Sequence, residues 1–350
     1  MTWRAILPAM PLDADVDAPV VDRTPQRIRV AARPGGAGTC DRALVRAYVA
    51  DEIELDAVVD ELAHGVHPAY LHGGLAGIGW TIAHLASGAE AATAAISRVL
   101  RSRSGQYDLI GGSVGVGVFA LEAGDDELAH AVLEHLEAWS ARRWFTRADE
   151  LVESERELAP GGYTNLGIAH GIPGVIALLA RFVHRGIEPA RSRAILDDAV
   201  DMVARVPSPI PTWHPSGDIT PRLAWCYGDV GVAVSLVGAG VYANHPGAYE
   251  RGLELARGAA TSTIEIDETG LCHGIAGVAH LFNRLAQATG DELFDAAARK
   301  WFARLRARTD PARDGSFLLG QAGITLALHA ATTEVEPTWD RLLLADLPPR

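Results

Sequence analysis

Gly74-Leu75-Ala76-Gly77, Gly112-Ser113-Val114-Gly115, Gly171-Ile172-Pro173-Gly174, Gly228-Asp229-Val230-Gly231, Gly274-Ile275-Ala276-Gly277 and Gly320-Gln321-Ala322-Gly323 repeat one pattern, G-x-x-G followed by an apolar run. The first glycines are 38, 59, 57, 46 and 46 residues apart, room for two helices and their connections in each unit. The repeat therefore predicts helical hairpins. After Gly277, the residues Val278, Leu281, Phe282 and Leu285 fall at i, i+3, i+4 and i+7, and the VIALLA run of residues 175–180 is apolar nearly all round, as in buried inner helices. Between the glycine motifs lie charged amphipathic stretches, DDELAHAVLEHLEAWSARR, RSRAILDDAVDMVARV and ELFDAAARKWFARLRAR, whose polar faces suit an outer layer.

Stacked hairpins make an open solenoid, which needs polar end caps, or a closed ring. The sixth copy is as apolar as the middle ones and the chain ends soon after it, which favours closure into an all-α, double-layered α/α toroid. The glycines would then sit at the N-terminal ends of the inner helices, at one mouth of the ring. Residues 1–40, with several Pro, Asp and Arg and the PGGAG stretch of residues 34–38, read as an irregular lead-in. Residues 41–350 read as a single toroid domain. The glycines themselves fit tight turns and close helix approach. A phosphate cradle is disfavoured, because no copy has the strand-glycine-helix context of a P-loop or dinucleotide fold.

Composition agrees. Of 350 residues 48% are hydrophobic and only 6% aromatic, a core of Ala, Val, Leu and Ile suited to closely packed helices. With 44 acidic against 31 basic residues the formal net charge is -13, and no Lys/Arg run offers a track for phosphates, so nucleic acid is excluded as a partner. The N-terminal MTWRAILPAMPLDADVD, interrupted by Pro8 and Pro11, does not read as a signal peptide. No segment has the ~18 uninterrupted apolar residues of a membrane span. The expected location is cytoplasmic, with peripheral membrane association through partner proteins left open. Three cysteines, Cys40, Cys226 and Cys272, are too few and too odd in number for a disulfide framework.

Two of those three stand just before repeat glycines, in Trp225-Cys226-Tyr227-Gly228 and Leu271-Cys272-His273-Gly274. In a ring of inner helices these segments are neighbours, and Cys226, Cys272 and His273 would project into one mouth as a Cys2His set. Thiolate and imidazole are the usual zinc ligands, and three protein ligands with an open fourth position are the arrangement of a catalytic site. Buried cysteine can also be merely a small hydrophobe, a reading that suits Cys40.

The WCYG, LCHG and NLGIAHG segments resemble those of the lanthionine synthetase C-like (LanC-like) lanthipeptide cyclase family, over the repeat region from about residue 70 onward. The resemblance implies an α/α toroid of seven hairpins, the seventh drawn from residues 41–63, and one Zn2+ per chain on Cys226, Cys272 and His273. It also implies that His170, Asp108, Arg222 and Tyr227 line the active site. His170 and Asp108 stand one and four residues before repeat glycines, so their positions alone already direct them to the same mouth. The implied reaction is addition of a cysteine thiol of a dehydrated precursor peptide to dehydroalanine or dehydrobutyrine, forming a thioether ring. A free thiol of pKa ~8.5 is mostly protonated at neutral pH, and metal coordination deprotonates it. A third, substrate thiolate on a Cys2His zinc leaves the centre anionic and its sulfur electron-rich.

On this reading His170 is the acid/base, Asp108 orients or assists it, and Arg222 and Tyr227 act as electrostatic or positioning groups. Arg222 paired with an acidic neighbour and Tyr227 simply packed remain structural alternatives. A dehydratase and a transporter are the further partners the resemblance suggests. Two other functions stay open at the level of sequence. One is a zinc protein that binds glutathione or thiol peptides without cyclising them. The other is an α/α-toroid glycosidase using Asp108 and Asp229.

Overall fold

The computed structural model describes residues 2–12, 14, 38–101, 105–215, 220–308 and 314–350. Most of the lead-in expected over residues 1–40 lies outside the described residues. The chain divides into two compact units, one of Met1–Ala63, Glu265–Pro337 and Pro349–Arg350, the other of His64–Ile264 and Thr338–Pro348.

In chain order the helices are α1 (Thr39–Val45), continued by a π-turn at Arg46–Ala50, α2 (Asp56–His64), α3 (Leu75–Leu85), α4 (Glu90–Leu100), α5 (Ser113–Ala123), α6 (Asp126–Ala141) and α7 (Glu153–Leu158). There follow α8 (Ile172–Arg185), α9 (Pro189–Ala204), α10 (Asp229–Ala243), α11 (Pro246–Ala260), α12 (Ile275–Thr289), α13 (Glu292–Arg306) and α14 (Gln321–Thr332). The first glycine of every motif is the residue that caps the N-terminus of α3, α5, α8, α10, α12 or α14. These six are the inner helices. From Ile172 to Phe182 every residue of α8 is buried, and α10 and α12 are nearly as enclosed. At ~1.5–3 kcal/mol for each fully buried Leu, Ile or Val, this apolar burial is the main stabilising term. Amphipathic α4, α6, α9, α11 and α13 pack on the inner helices that precede them.

Inner and outer helices begin differently. Outer α6 and α13 use Asp125 and Asp291 as side-chain caps, accepting from Leu128 N at 2.9 Å and Leu293 N at 3.0 Å. The inner helices have no side-chain cap. Instead, ahead of α3, α5, α12 and α14, the preceding loop folds back, and a backbone carbonyl seven residues upstream accepts from the first helical N–H. The pairs are Leu75 to Pro68 at 2.8 Å, Ser113 to Gln106 at 3.0 Å, Ile275 to Glu268 at 2.9 Å and Gln321 to Asp314 at 2.8 Å. This fold-back leaves no room at the second glycine. A Cβ on Gly77, Gly115, Gly174, Gly231, Gly277 or Gly323 would lie 1.9–2.4 Å from the carbonyl oxygen six residues upstream.

Loops of successive copies are hydrogen-bonded side by side: Leu71 N to Ile110 O at 3.0 Å and Leu109 N to Ala169 O at 3.1 Å in one unit, Cys272 N to Leu318 O at 2.8 Å in the other. Within the unit that holds both chain termini, α1 packs on α14. The Trp3 indole donates to Ala330 O at 2.8 Å, and Ile6 N donates to Ala331 O at 2.8 Å. One feature departs from a purely helical reading. The two longest repeat spacings house a small antiparallel sheet of β1 (Phe145–Thr146), β2 (Tyr163–Asn165) and β3 (Trp213–His214), in that order.

The fold-back makes a direct prediction. Gly77→Ala should lower stability by about 1–3 kcal/mol, the scale of overpacking. Gly258→Ala, on outer α11 where a Cβ meets nothing, should raise it by ~0.5–1 kcal/mol. Urea midpoints read both, and equal tolerance of the two would contradict the close approach.

Candidate metal centre

Each loop ahead of an inner helix presents two residues before its first glycine. The nearer position is occupied, copy by copy, by Gly73, Gly111, His170, Tyr227, His273 and Leu319, and the farther one by His72, Ile110, Ala169, Cys226, Cys272 and Leu318. Reactive side chains thus gather in copies three to five, with His72 standing in copy one where the cysteines stand in copies four and five.

Among the described residues, Cys226, Cys272 and His273 are a group that could hold a metal ion, each offering one ligand atom, Cys226 from one unit and Cys272 and His273 from the other. The donor set fits zinc. Two thiolates and one imidazole are donors that zinc takes readily, and three of them leave a fourth position for a further ligand. Cys226 is 7% exposed, whereas Cys272 and His273 are half-buried. Backbone contacts fix both cysteine loops. A Cβ on Gly231 would strike the Trp225 carbonyl, and Cys272 N is bound to Leu318 O.

The remaining site residues lie together around Cys226. Gly228 adopts φ +97°, and a Cβ there would meet the Arg222 carbonyl at 2.0 Å, so glycine lets the 222–228 loop close on itself. Tyr227 stacks on His170 with ring centroids 6.2 Å apart, and the Arg222 guanidinium lies 5.8 Å from the Tyr227 ring centre. Asp108 Oδ1 is 3.6 Å from His170 Nδ1 and is itself oriented by Ile110 N and Gly111 N, both at 2.9 Å. Burial works against the charge of His170, but the Asp108 carboxylate, with further help from Cys226 and Glu155, holds the imidazole above its usual pKa. Burial, reinforced by Cys226, keeps the Tyr227 hydroxyl protonated well above its usual range.

Asn165, buried at the end of β2, is a site residue that sequence reasoning did not single out. Its amide donates to the Tyr227 hydroxyl at 3.1 Å, while its own oxygen accepts from Gly167 N at 3.0 Å. Gly167 is the reason Tyr227 fits, since a Cβ there would lie 2.4 Å from both the Cys226 carbonyl oxygen and Tyr227 Cδ1. The signal was present in the NLGIAHG segment, which begins with Asn165. Asp229, by contrast, is occupied structurally. Its carboxylate accepts from Ser208 Oγ and from Ile210 N at 2.9 Å, so it ties down the 208–210 loop.

A sequence profile described as lanthionine synthetase C-like protein matches residues 53–344. The nisin biosynthesis protein NisC of Lactococcus lactis subsp. lactis is 23% identical over 281 residues, 69% of this chain and 65% of that protein. The match thus spans a little under two thirds of that relative's length. The solved structure of nisin cyclase matches with a TM-score of 0.76 at 18% identity, covering 89% of this chain and 91% of the other. At that identity the likeness establishes the fold, an all-α toroid. No helix among the described residues is long and apolar enough to cross a membrane.

Asp108 is the main group that raises His170, so Asp108→Asn should lower the imidazole pKa, with burial then opposed only by Cys226 and Glu155. Because the folded pKa is raised, the stabilisation from this pair is full below pH ~6.5 and drains as pH rises through the folded value. NMR titration of the His170 ring tests this, and an unchanged midpoint in Asp108→Asn would contradict it.

Proposed function

The chain belongs to the lanthionine synthetase C-like family, and from that premise we propose that it is a zinc-dependent lanthipeptide cyclase. The observation that carries the reading is the Cys226, Cys272 and His273 group, together with the His170, Asp108 and Tyr227 cluster packed around Cys226. The substrate is a dehydrated precursor peptide bearing cysteine thiols and dehydroalanine or dehydrobutyrine. Residues 41–350 act as a single cyclase domain, and a dehydratase and a transporter are the partners expected of such a pathway. NisC and nisin cyclase, whose names place them in nisin biosynthesis and cyclisation, support this assignment.

Cys226, Cys272 and His273 would hold one Zn2+, which when bound lowers the pKa of a coordinated substrate thiol so that its sulfur enters as thiolate. In the addition a carbon-sulfur bond forms at the β-carbon, the π electrons move toward the α-carbon and its carbonyl, and a proton is delivered to the α-carbon. His170 supplies that proton, its imidazole held above its usual pKa by Asp108 against the opposing effect of burial. Tyr227, held protonated and aimed by Asn165, offers a hydrogen bond to the developing enolate oxygen. Arg222 contributes positive charge beside Tyr227.

Two measurements test the proposal. The purified protein should carry about one zinc per chain, and Cys226→Ala or Cys272→Ala should lose it while remaining helical by circular dichroism. Full metal content in both variants would remove the ligand assignment. His170→Ala should keep its zinc yet slow thioether formation by roughly 10²-fold, the lower scale for losing a positioned acid/base. Mass spectrometry of a dehydrated, thiol-containing peptide after thiol alkylation reads that rate, and undiminished ring closure would move the proton-transfer role elsewhere.

A further inference from the structure

The last described segment of the chain runs through the unit that contains Cys226. Thr338–Leu343 forms a 3-10 turn, and Trp339, Asp340, Leu342, Leu343, Leu344, Ala345 and Leu347 are all buried. It is fastened to three of the inner helices of that unit, α5, α8 and α10, and through Glu122 to the fourth, α3. Arg341 reaches Glu122 of α5 at 3.0 and 3.2 Å, and Glu122 also contacts His84 of α3 at 2.8 Å. Burial opposes the Glu122 charge, but His84 and Arg341 prevail and hold its pKa low. Asp346 accepts from Arg181 Nε of α8 at 2.9 Å, and its backbone oxygen accepts from the Tyr242 hydroxyl of α10. Between these anchors Leu344 has φ +53°, a left-handed conformation costly for leucine that persists only where the surroundings over-determine it.

At that bend the segment meets two of the loops described above. The Leu343 carbonyl accepts from the Trp225 indole at 3.0 Å, and the Leu342 carbonyl lies 3.2 Å from His72 Nε2. A carbonyl only accepts, so His72 carries its proton on Nε2 and is neutral at Nδ1. Burial, with the nearby charge of His170, pushes its pKa down to about 4, which keeps that donor uncharged at neutral pH. The two rings also meet edge to face, with centroids 6.4 Å apart. Trp225 directly precedes Cys226 and is fully buried, with its own carbonyl pressed against Gly231. Ring and backbone of Trp225 are therefore both fixed.

We infer that the C-terminal segment Thr338–Pro348 is a positioning element for the metal loop, setting Cys226 through the hydrogen bond from the Trp225 indole to the Leu343 carbonyl. The inference rests on the metal-centre reading above. It assigns the segment a task beyond filling space: with Trp225 held at both ends, the Cys226 backbone cannot rock, and its sulfur is presented in one orientation. Groups that orient a ligand in this way change metal affinity by roughly 10–100-fold when lost.

The test is Trp225→Phe, which removes the donor and keeps an aromatic ring, compared with Trp139→Phe, which removes an indole donor to Gly105 O on outer α6. Zinc affinity is measured by competition with a chromophoric chelator, and stability by urea unfolding of the metal-free proteins. Trp225→Phe should bind zinc at least ~10-fold more weakly, while Trp139→Phe binds as the unaltered protein does. Should Trp225→Phe not fold, β-(3-benzothienyl)alanine at position 225 replaces the N–H by sulfur at nearly constant volume, and the same weakening is expected. Unchanged zinc affinity accompanied by lowered stability would overturn the inference and leave the segment as packing alone. An unaltered protein that binds no zinc would overturn the metal-centre reading and this inference together.

Discussion

The structure depends on a backbone contact with no spare volume. In all six copies the second glycine lies against the carbonyl six residues upstream, closer than any Cβ tolerates. That contact lets the loop fold back over the helix end, where its carbonyls accept the first N–H groups that every α-helix leaves open. A buried helix end without such partners would cost the desolvation of several donors. Where the loop satisfies the helix internally, as at α3, α5, α12 and α14, the N-terminus is not a vacant anion site. The chemistry of the loops must come from side chains at the two positions just before the first glycine.

Those two positions hold one thiol with a phenol in copy four, one thiol with an imidazole in copy five, and an imidazole in copy three. The arrangement is electrostatically consistent. Asp108 at His170 and burial at Tyr227 raise the pKa of each group, and a negative Cys226 adds to both effects, so the groups around the metal loop are biased toward holding their protons. Asp108 itself is positioned by two backbone N–H groups, those of Ile110 and Gly111. Proton donors beside a sulfur nucleophile are what addition to an activated double bond needs, since the electron pair moved to the acceptor must be met by a proton.

Much of this was legible in the sequence because it is periodic. Glycine spacing gave the hairpins, and the amphipathic stretches gave the outer layer, realised as α6, α9 and α13. Two of only three cysteines beside equivalent glycines identified a candidate metal group. What escaped notice has no period. Strands of two or three residues carry no alternation to detect, so the sheet that delivers Asn165 was invisible. The stretch DRLLLADLPP reads as an ordinary apolar run, and nothing local says that its carbonyls serve His72 and Trp225. His72 was recoverable in principle, as it stands at the register position of Cys226 and Cys272. Such contacts join residues 118 and 270 positions apart, a pairing only the folded chain specifies.

The central claim is that Cys226, Cys272 and His273 hold a metal that takes a substrate thiol as its next ligand. The most direct measurement is the electronic spectrum of the Co2+-substituted protein during titration with a cysteine-containing peptide and with its serine counterpart. The account predicts that the thiolate-to-cobalt charge-transfer band grows with the cysteine peptide alone, with release of a proton, as the spectrum passes from two thiolate ligands to three. A band unchanged by the cysteine peptide, with the serine peptide bound equally well, would contradict direct thiol coordination and the cyclase mechanism built on it.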